Sequence, residues 1–261
     1  MKRPHLFTLL LLGSGTALGA LILLPLLALL WAGWSSGLLH MLQQPQVLQA
    51  IWITLYSSLL ALPLIFLLGL PSAYGLSRCQ GRLRRSLEIL LELPMVMPPV
   101  VAGLALLLAF GRRGLLGELL AGIGIRLPFT LSAVVLALIF VITPFFVRRC
   151  VVLFDGIEHK LEEAALLLGA TPLQSFWHVT LPVVRRGLFA EGVMALAQGI
   201  GLFGVIILFA GNLPGRTQTL PLAVFVALES DRDTAIALSL VMVVISLAVL
   251  VALRDRWWRT A

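Results

Sequence analysis

Charge is what this chain has least of. Only 12% of its 261 residues are Asp, Glu, Lys or Arg, against 60% hydrophobic, whereas soluble domains carry about a quarter charged residues. So little charge cannot cover a water-facing surface, and an ordinary soluble domain is excluded. Lysine is almost missing: Lys2 and Lys160 are followed by Arg3 and Leu161. No G-x-x-x-x-G-K-[ST] phosphate loop can therefore be drawn in this sequence. The two cysteines, Cys79 and Cys150, fall at ends of apolar runs expected to face a reducing compartment, which argues against a disulfide framework. The four histidines, His5, His40, His159 and His178, lie at no ligand spacing, so a metal centre is not expected.

What is abundant is long apolar sequence. A helix needs about 20 apolar residues to cross a bilayer, and only helices or closed barrels satisfy their backbone there. The runs do not alternate as barrel strands do, so the expected fold is an all-α integral membrane protein with six transmembrane helices, near 6–31, 50–75, 91–110, 128–147, 187–210 and 234–253. The first begins MKRPHLF and continues through LILLPLLALLW, too long for a signal peptide's apolar stretch, so an uncleaved anchor is expected. Six spans put both termini on one side of the membrane. Fourteen of the Lys and Arg residues, among them Arg78, Arg84, Arg148 and Arg149, fall on that side, against Arg112, Arg113, Arg126, Arg216 and Arg232 on the other. The positive-inside rule then makes both termini cytoplasmic. Membrane lipid accounts for the net charge of +7, with no nucleic-acid partner. The chain divides into an N-terminal helix and external loop (1–49), a membrane core (50–254) and a short cytoplasmic tail (255–261).

The largest cytoplasmic loop, residues 157–182, reads IEHKLEEAALLLGATPLQSFWHVTLP. Ile157, Leu161, Ala164, Ala165 and Leu168 recur at helical spacing and predict a first helix with one apolar face. Gly169 follows, where a helix end turning left-handed favours a residue without Cβ. Thr171 as N-cap, Pro172 as first helical residue and Gln174 closing a capping box predict a second helix over 172–180. Leu181 and Pro182 are expected to end it. By shape alone such a pair is equally a plain connector lying on the membrane surface.

Residue identity points further. Glu163-Ala164-Ala165, three residues, Gly169, nine residues and VTLP resemble the EAA loop of bacterial ABC-importer permeases, whose pattern ends I-x-LP; here Val179 stands for the Ile. The resemblance implies the type I ABC importer permease fold. It also implies coupling helices that dock in a groove of a separate cytoplasmic ATPase, with Glu162, Glu163, Ala164, Ala165, Gly169, Ala170, Pro172, Leu181 and Pro182 as the coupling residues and Glu163 as an anchor of the loop. By the same resemblance no cofactor is expected to bind this chain, and ATP and Mg are expected to be used by the partner ATPase.

Residues 209–228, FAGNLPGRTQTLPLAVFVAL, and 92–114, ELPMVMPPVVAGLALLLAFGRRG, are similar to the molybdate permeases and less closely to tungstate and sulfate permeases. This implies a homodimer with the pathway along its axis in a prokaryotic inner membrane. A periplasmic or lipid-anchored oxyanion-binding protein would deliver the substrate, with Asn212, Arg216, Thr217 and Gln218 as candidate contacts. One departure stands out: the subfamily has ALGEFG before FAGN, and here GIGLFG places Leu202 where Glu is expected. GIGLFG also spells a dinucleotide fingerprint, but it lies inside an apolar span with no strand before it. Ala197, Gly201 and Gly204 read instead as a small-residue packing stripe.

Buried polar groups in a membrane usually face the bundle interior or water. Gln198 and the Pro98–Pro99 pair are accordingly pathway candidates together with Leu202, although Gln198 equally fits a bond to a neighbouring helix. Glu191 is expected to line the cytoplasmic mouth or to pair with an Arg. An ion-coupled secondary transporter would require midplane acids and inverted repeats. A membrane enzyme would require paired catalytic groups in the spans. The EAA loop argues against both, and a sulfate or thiosulfate permease is the alternative within the family.

Overall fold

The computed structural model describes residues 4–34 and 44–257, and these form helices and turns with no strand among them. Expectations for Lys2, Arg3, His40 and the tail beyond Trp257 lie outside the described residues, as do the side chains of His5, His159, Arg254 and Arg256. In order the helices are α1 (Pro4–Trp34), α2 (Pro45–Arg78), α3 (Gly81–Val96), α4 (Pro99–Phe110), α5 (Gly117–Gly122) and α6 (Leu131–Asp155). They continue with α7 (His159–Leu167), α8 (Pro172–Ser175), a π-helical turn (Phe176–Thr180), α9 (Leu181–Ile200), α10 (Gly204–Phe209), α11 (Leu220–Ser230) and α12 (Arg232–Trp257).

Among the described residues α1, α2, α6 and α12 are each long and apolar enough to cross a bilayer, and α3 with α4 makes a fifth candidate bent by 109°. Two expected spans are thus interrupted. Residues 91–110 break at Met97–Pro98, because each precedes a proline and takes extended geometry (ψ 134° at both). Residues 187–210 break at 201–203, between the end of α9 and the start of α10. The breaks adjoin: a Cβ on Gly204 would sit 2.8 Å from Pro99 Cβ.

The centre of the molecule is the α2–α6 pair. Ala61, Ile65 and Ala73 recur along α2 at four- and eight-residue steps and are buried against Ala137, Leu138, Phe146 and Cys150 of α6. Apolar side chains gain nothing from leaving lipid, so such a contact depends on close van der Waals fit between small and large residues. Gly69 supplies it at one point: an added Cβ would lie 2.7 Å from the Phe146 ring, which also packs 4.7 Å from Phe66. The α4–α10 contact is tight as well, and it meets backbone. A Cβ on Gly103 would meet Val205 O and Leu208 Cβ at 2.9 Å each. Gly103→Val is therefore expected to destabilise the fold by about 2 kcal/mol through overpacking. Thermal unfolding of the detergent-purified chain measures this, and an unchanged transition would contradict the approach of α4 to α10.

The expected stripe of Ala197, Gly201 and Gly204 is only partly realised. Gly204 does pack closely, but Gly201 ends α9, and an added Cβ there would meet nothing nearer than 3.9 Å. Gly199 takes its place against Ser58, Leu138 and Ile142.

α12 starts at Asp231, whose carboxylate accepts from the Asp233 and Thr234 amides and from the Thr234 hydroxyl at 2.5 Å. These bonds, the Thr234 hydroxyl first, hold the exposed carboxyl below its usual range. A carboxyl whose pKa is lower in the folded state adds stability above its unfolded value of about 4 and loses that contribution as pH falls through the folded value. Protection of the Asp233 and Thr234 amides, meaning their exchange rate relative to that of an open chain at the same pH, is accordingly expected to fall in acid, and Asp231→Ala should remove it at every pH.

Candidate functional site

The loop between α6 and α9 folds as a helix pair, and its turn chemistry is local. Asp155 ends α6, Gly156 and Ile157 turn the chain, and α7 runs to Leu167. Gly169 then adopts φ +90°, a conformation in which a residue with a Cβ is strained. Thr171 caps α8: its hydroxyl accepts from Gln174 N at 3.3 Å, and Gln174 Oε1 accepts from Thr171 N at 2.8 Å. Both halves of the expected capping box are present.

Two expectations are corrected here. The second helix does not stop at Leu181–Pro182. Leu181 is helical (φ −61°, ψ −44°) and its N–H donates to Phe176 O, five residues back, so the chain passes through the π turn into α9. The wider turn accommodates Pro182, whose ring would collide with a carbonyl four residues earlier in a regular α-helix. The anchoring acid is also different. Glu163 is exposed, whereas Glu162 Oε1 accepts from Arg78 Nη2 at 2.6 Å and from Thr180 Oγ1 at 2.5 Å.

The apolar face of α7 is not turned inward along its whole length. Ile157 is buried, but Leu167 and Leu168 are 88% and 89% exposed, and Leu173 of α8 and Trp177 of the π turn are exposed beside them. Of the remaining coupling candidates, Ala164 and Pro172 are exposed, while Ala165, Ala170 and Leu181 are half-buried. The pair therefore presents exposed apolar side chains on two short helices, the second of them capped, together with the exposed charges of Glu158, Lys160 and Glu163.

Inside the bundle, α6 and α9 bring Arg149, Glu191 and Gln198 together. Arg149 Nε donates to Glu191 Oε2 and its Nη2 to Gln198 Oε1 at 3.3 Å. Glu191 pairs with an Arg, as one of its two expectations has it, and Gln198 bonds a neighbouring helix. Arg148 on the adjacent face pairs with Glu92 of α3. Arg84 of α3 reaches Asp155 at 2.7 Å and Glu88 at 2.8 Å, which ties α3 to the end of α6. Pro98 and Pro99 are exposed at the α3–α4 break, and Leu202 packs half-buried against the core at the other.

At the opposite end, residues 210–219 close on themselves. The amides of Arg216, Thr217 and Gln218 all donate to Leu213 O, and the Thr217 hydroxyl accepts from Leu213 N at 3.1 Å. Thr54 of α2 receives Leu220 N at 2.7 Å. Thr217 and Gln218 are buried in this arrangement, Asn212 is half-buried and Arg216 is exposed. Of the four candidate contacts, Arg216 and part of Asn212 are thus presented at the surface. Arg216 lines a cavity of about 400 Å³ with Trp52, Tyr56 and Phe129.

Arg78, Thr180 and Arg149 carry no sequence signal as site residues. Their partners lie 84, 18 and 42 residues away, and no local pattern links residues so far apart.

The family described as "Binding-protein-dependent transport system inner membrane component" matches residues 65–259. The chain is 41% identical over 212 residues to the molybdenum transport system permease protein ModB of Mycobacterium bovis, covering 81% of this chain and 80% of that one. It is 37% identical over 246 residues to the sulfate transport system permease protein CysW of Escherichia coli K12, covering 91% and 84%. In fold it resembles a chain of the bacterial ABC transporter that imports alginate, with a TM-score of 0.80 at 19% identity over 100% of this chain and 98% of the other. These relationships lead to one assignment: the chain belongs to the binding-protein-dependent transport system inner membrane components, the membrane-spanning permease subunits of ABC importers.

Proposed function

We propose that this permease forms the pore of an ATP-driven importer of molybdate or a closely related tetrahedral oxyanion. It works as a homodimer with six spans per chain, counting α3–α4 and α9–α10 as one each. Both termini are cytoplasmic, and two ATPase subunits supply the ATP and Mg chemistry. The observation that carries the coupling role is the helix pair itself. Leu167, Leu168, Leu173 and Trp177 are exposed in the loop between two spans, and an exposed apolar surface of this kind serves as a contact site, which the coupling role assigns to a partner protein. Closure of the ATPase pair moves these helices and turns the pore outward. The oxyanion then enters from a periplasmic or lipid-anchored binding protein held at Arg216 and Asn212, and hydrolysis resets the gate.

Molybdate is preferred because the relative named for molybdenum is 41% identical, but the sulfate relative at 37% makes a sulfate permease the second reading. Competition binding of molybdate, tungstate and sulfate to the partner binding protein separates them. Molybdate is expected to win, preferred sulfate selects the second reading, and preference for a sugar or amino acid would overturn both.

A further inference from the structure

Movement of α7 and α8 is useful only if it reaches the membrane-spanning helices, and the packing of α7 alone does not provide a path. α7 packs chiefly against α8 and the π turn, and its side chains are exposed apart from Glu162 and Ala165, with that of His159 not described. Glu162 is the exception in chemistry as well as burial. Its side chain is 12% exposed, and a single oxygen receives both the Arg78 guanidinium and the Thr180 hydroxyl. Arg78 is the last residue of α2, and Thr180 is the last residue of the π turn before α9. One carboxylate therefore binds α7, α2 and the entry to α9 by charge-assisted bonds, which are shorter and stronger than neutral ones.

The node rests on rings. Arg78 Cζ lies 5.0 Å from the Tyr74 ring centre. Tyr74 meets Phe176 of the π turn at 4.8 Å and Phe154 near the end of α6 at 5.5 Å, both edge to face. Rings in this geometry attract one another and resist sliding. The four elements that would have to move together are thus joined by two short polar bonds above a three-ring seat.

We propose that Arg78, Glu162 and Thr180, seated on Tyr74, Phe154 and Phe176, form the joint that transmits displacement of the helix pair to α2 and, through the α2–α6 contact, to the pore. This rests on the ATPase-coupled permease reading. Arg78 and Thr180 are positioning residues in it, since they act through Glu162.

The test uses the complete transporter in proteoliposomes, with molybdate, or sulfate if molybdate is not moved, measured as ions taken up per ATP hydrolysed. Arg78→Ala is expected to lower this ratio about fivefold or more, the usual lower range for a coupling between sites. Arg78→Lys should retain part of it, and the exchange Arg78→Glu with Glu162→Arg should recover much of what either single charge reversal loses. A merely structural contact would change yield and thermal stability and leave the ratio of the assembled complex intact, which overturns the joint, as does an exchange no better than its singles. Should Arg78→Ala fail to assemble, Thr180→Val decides, because it preserves shape and removes one hydroxyl: a lowered ratio supports the joint and an unchanged ratio overturns it. A wild-type complex that shows no ATP-driven uptake of either ion overturns the oxyanion-importer reading, and the joint that rests on it, while leaving the family membership in place.

Discussion

Valine at position 169 is expected to uncouple transport from ATP hydrolysis while leaving the permease inserted and assembled. Gly169 sits at φ +90°, and a Cβ built there would meet no heavy atom within 4 Å. The penalty is therefore conformational, free of any clash with the rest of the chain. A left-handed backbone costs an ordinary L-residue about 1–2 kcal/mol, and a β-branched side chain is less tolerant again. Each 1.4 kcal/mol shifts an equilibrium about tenfold, so the observed α7–α8 turn is disfavoured about that much relative to glycine. Uptake in proteoliposomes should fall tenfold or more by this estimate, with insertion and yield unchanged. Gly169→Asn provides the control, since asparagine visits the left-handed region readily, and it should retain much of the activity. Normal uptake by the valine variant would remove the turn angle from the mechanism.

Leucine at position 191 is expected to give the largest loss of stability among single polar substitutions in the bundle. Arg149 of α6 donates to Glu191 and Gln198 of α9, and the Arg149 and Glu191 side chains are 28% and 17% exposed. Removing one member of a largely buried pair strands the other charge, at a cost of about 3 kcal/mol or more when burial is complete and somewhat less here. A charge within a membrane helix has few alternative partners, which works in the same direction. Glu191→Gln keeps an acceptor for the guanidinium and should lose about half as much. The informative comparison is the double variant Arg149→Leu with Glu191→Leu. Replacing both partners leaves no stranded charge, so it should unfold at a higher temperature than either single variant. Additive losses in that cycle, read by thermal unfolding in detergent, would show that the two side chains do not support one another.

Much of the helix pair was legible because its signals are local. A capping box needs a hydroxyl and an amide three residues apart, and a left-handed helix end needs a glycine, so Thr171, Gln174 and Gly169 could be assigned from spacing alone. Pro98–Pro99 was legible only as a pathway feature within one span at 91–110; steric exclusion before each proline breaks that span into two helices, bent by 109°. Leu181–Pro182 went the other way. A local rule stopped the helix, and a π turn carried it through, because the chain can widen one turn where packing rewards continuity.

The choice between Glu162 and Glu163 shows where local reading ends. Both are acidic, adjacent and at helical positions, and adjacent residues on a helix point about 100° apart. Which of them faces Arg78 depends on the rotation of α7 against α2, set by contacts 84 residues apart in the chain. The buried state of Thr217 and Gln218 is of the same kind, since it requires the loop to fold on Leu213 and dock on Thr54 of α2.

By itself, then, the amino-acid sequence determined that the chain belongs in a membrane, that it is helical, that an amphipathic helix pair interrupts it, and which turns cap that pair. Each of these follows from composition or from forces acting within about four residues. The tertiary structure alone decided which carboxylate anchors the pair, that Arg149 is matched to Glu191 and Gln198, and that the helix breaks at 97–98 and 201–203 meet at Pro99 and Gly204. Those outcomes depend on helices packing face to face at distances of a few ångströms, and the rotation and depth of each helix are settled only when all of its neighbours are in place.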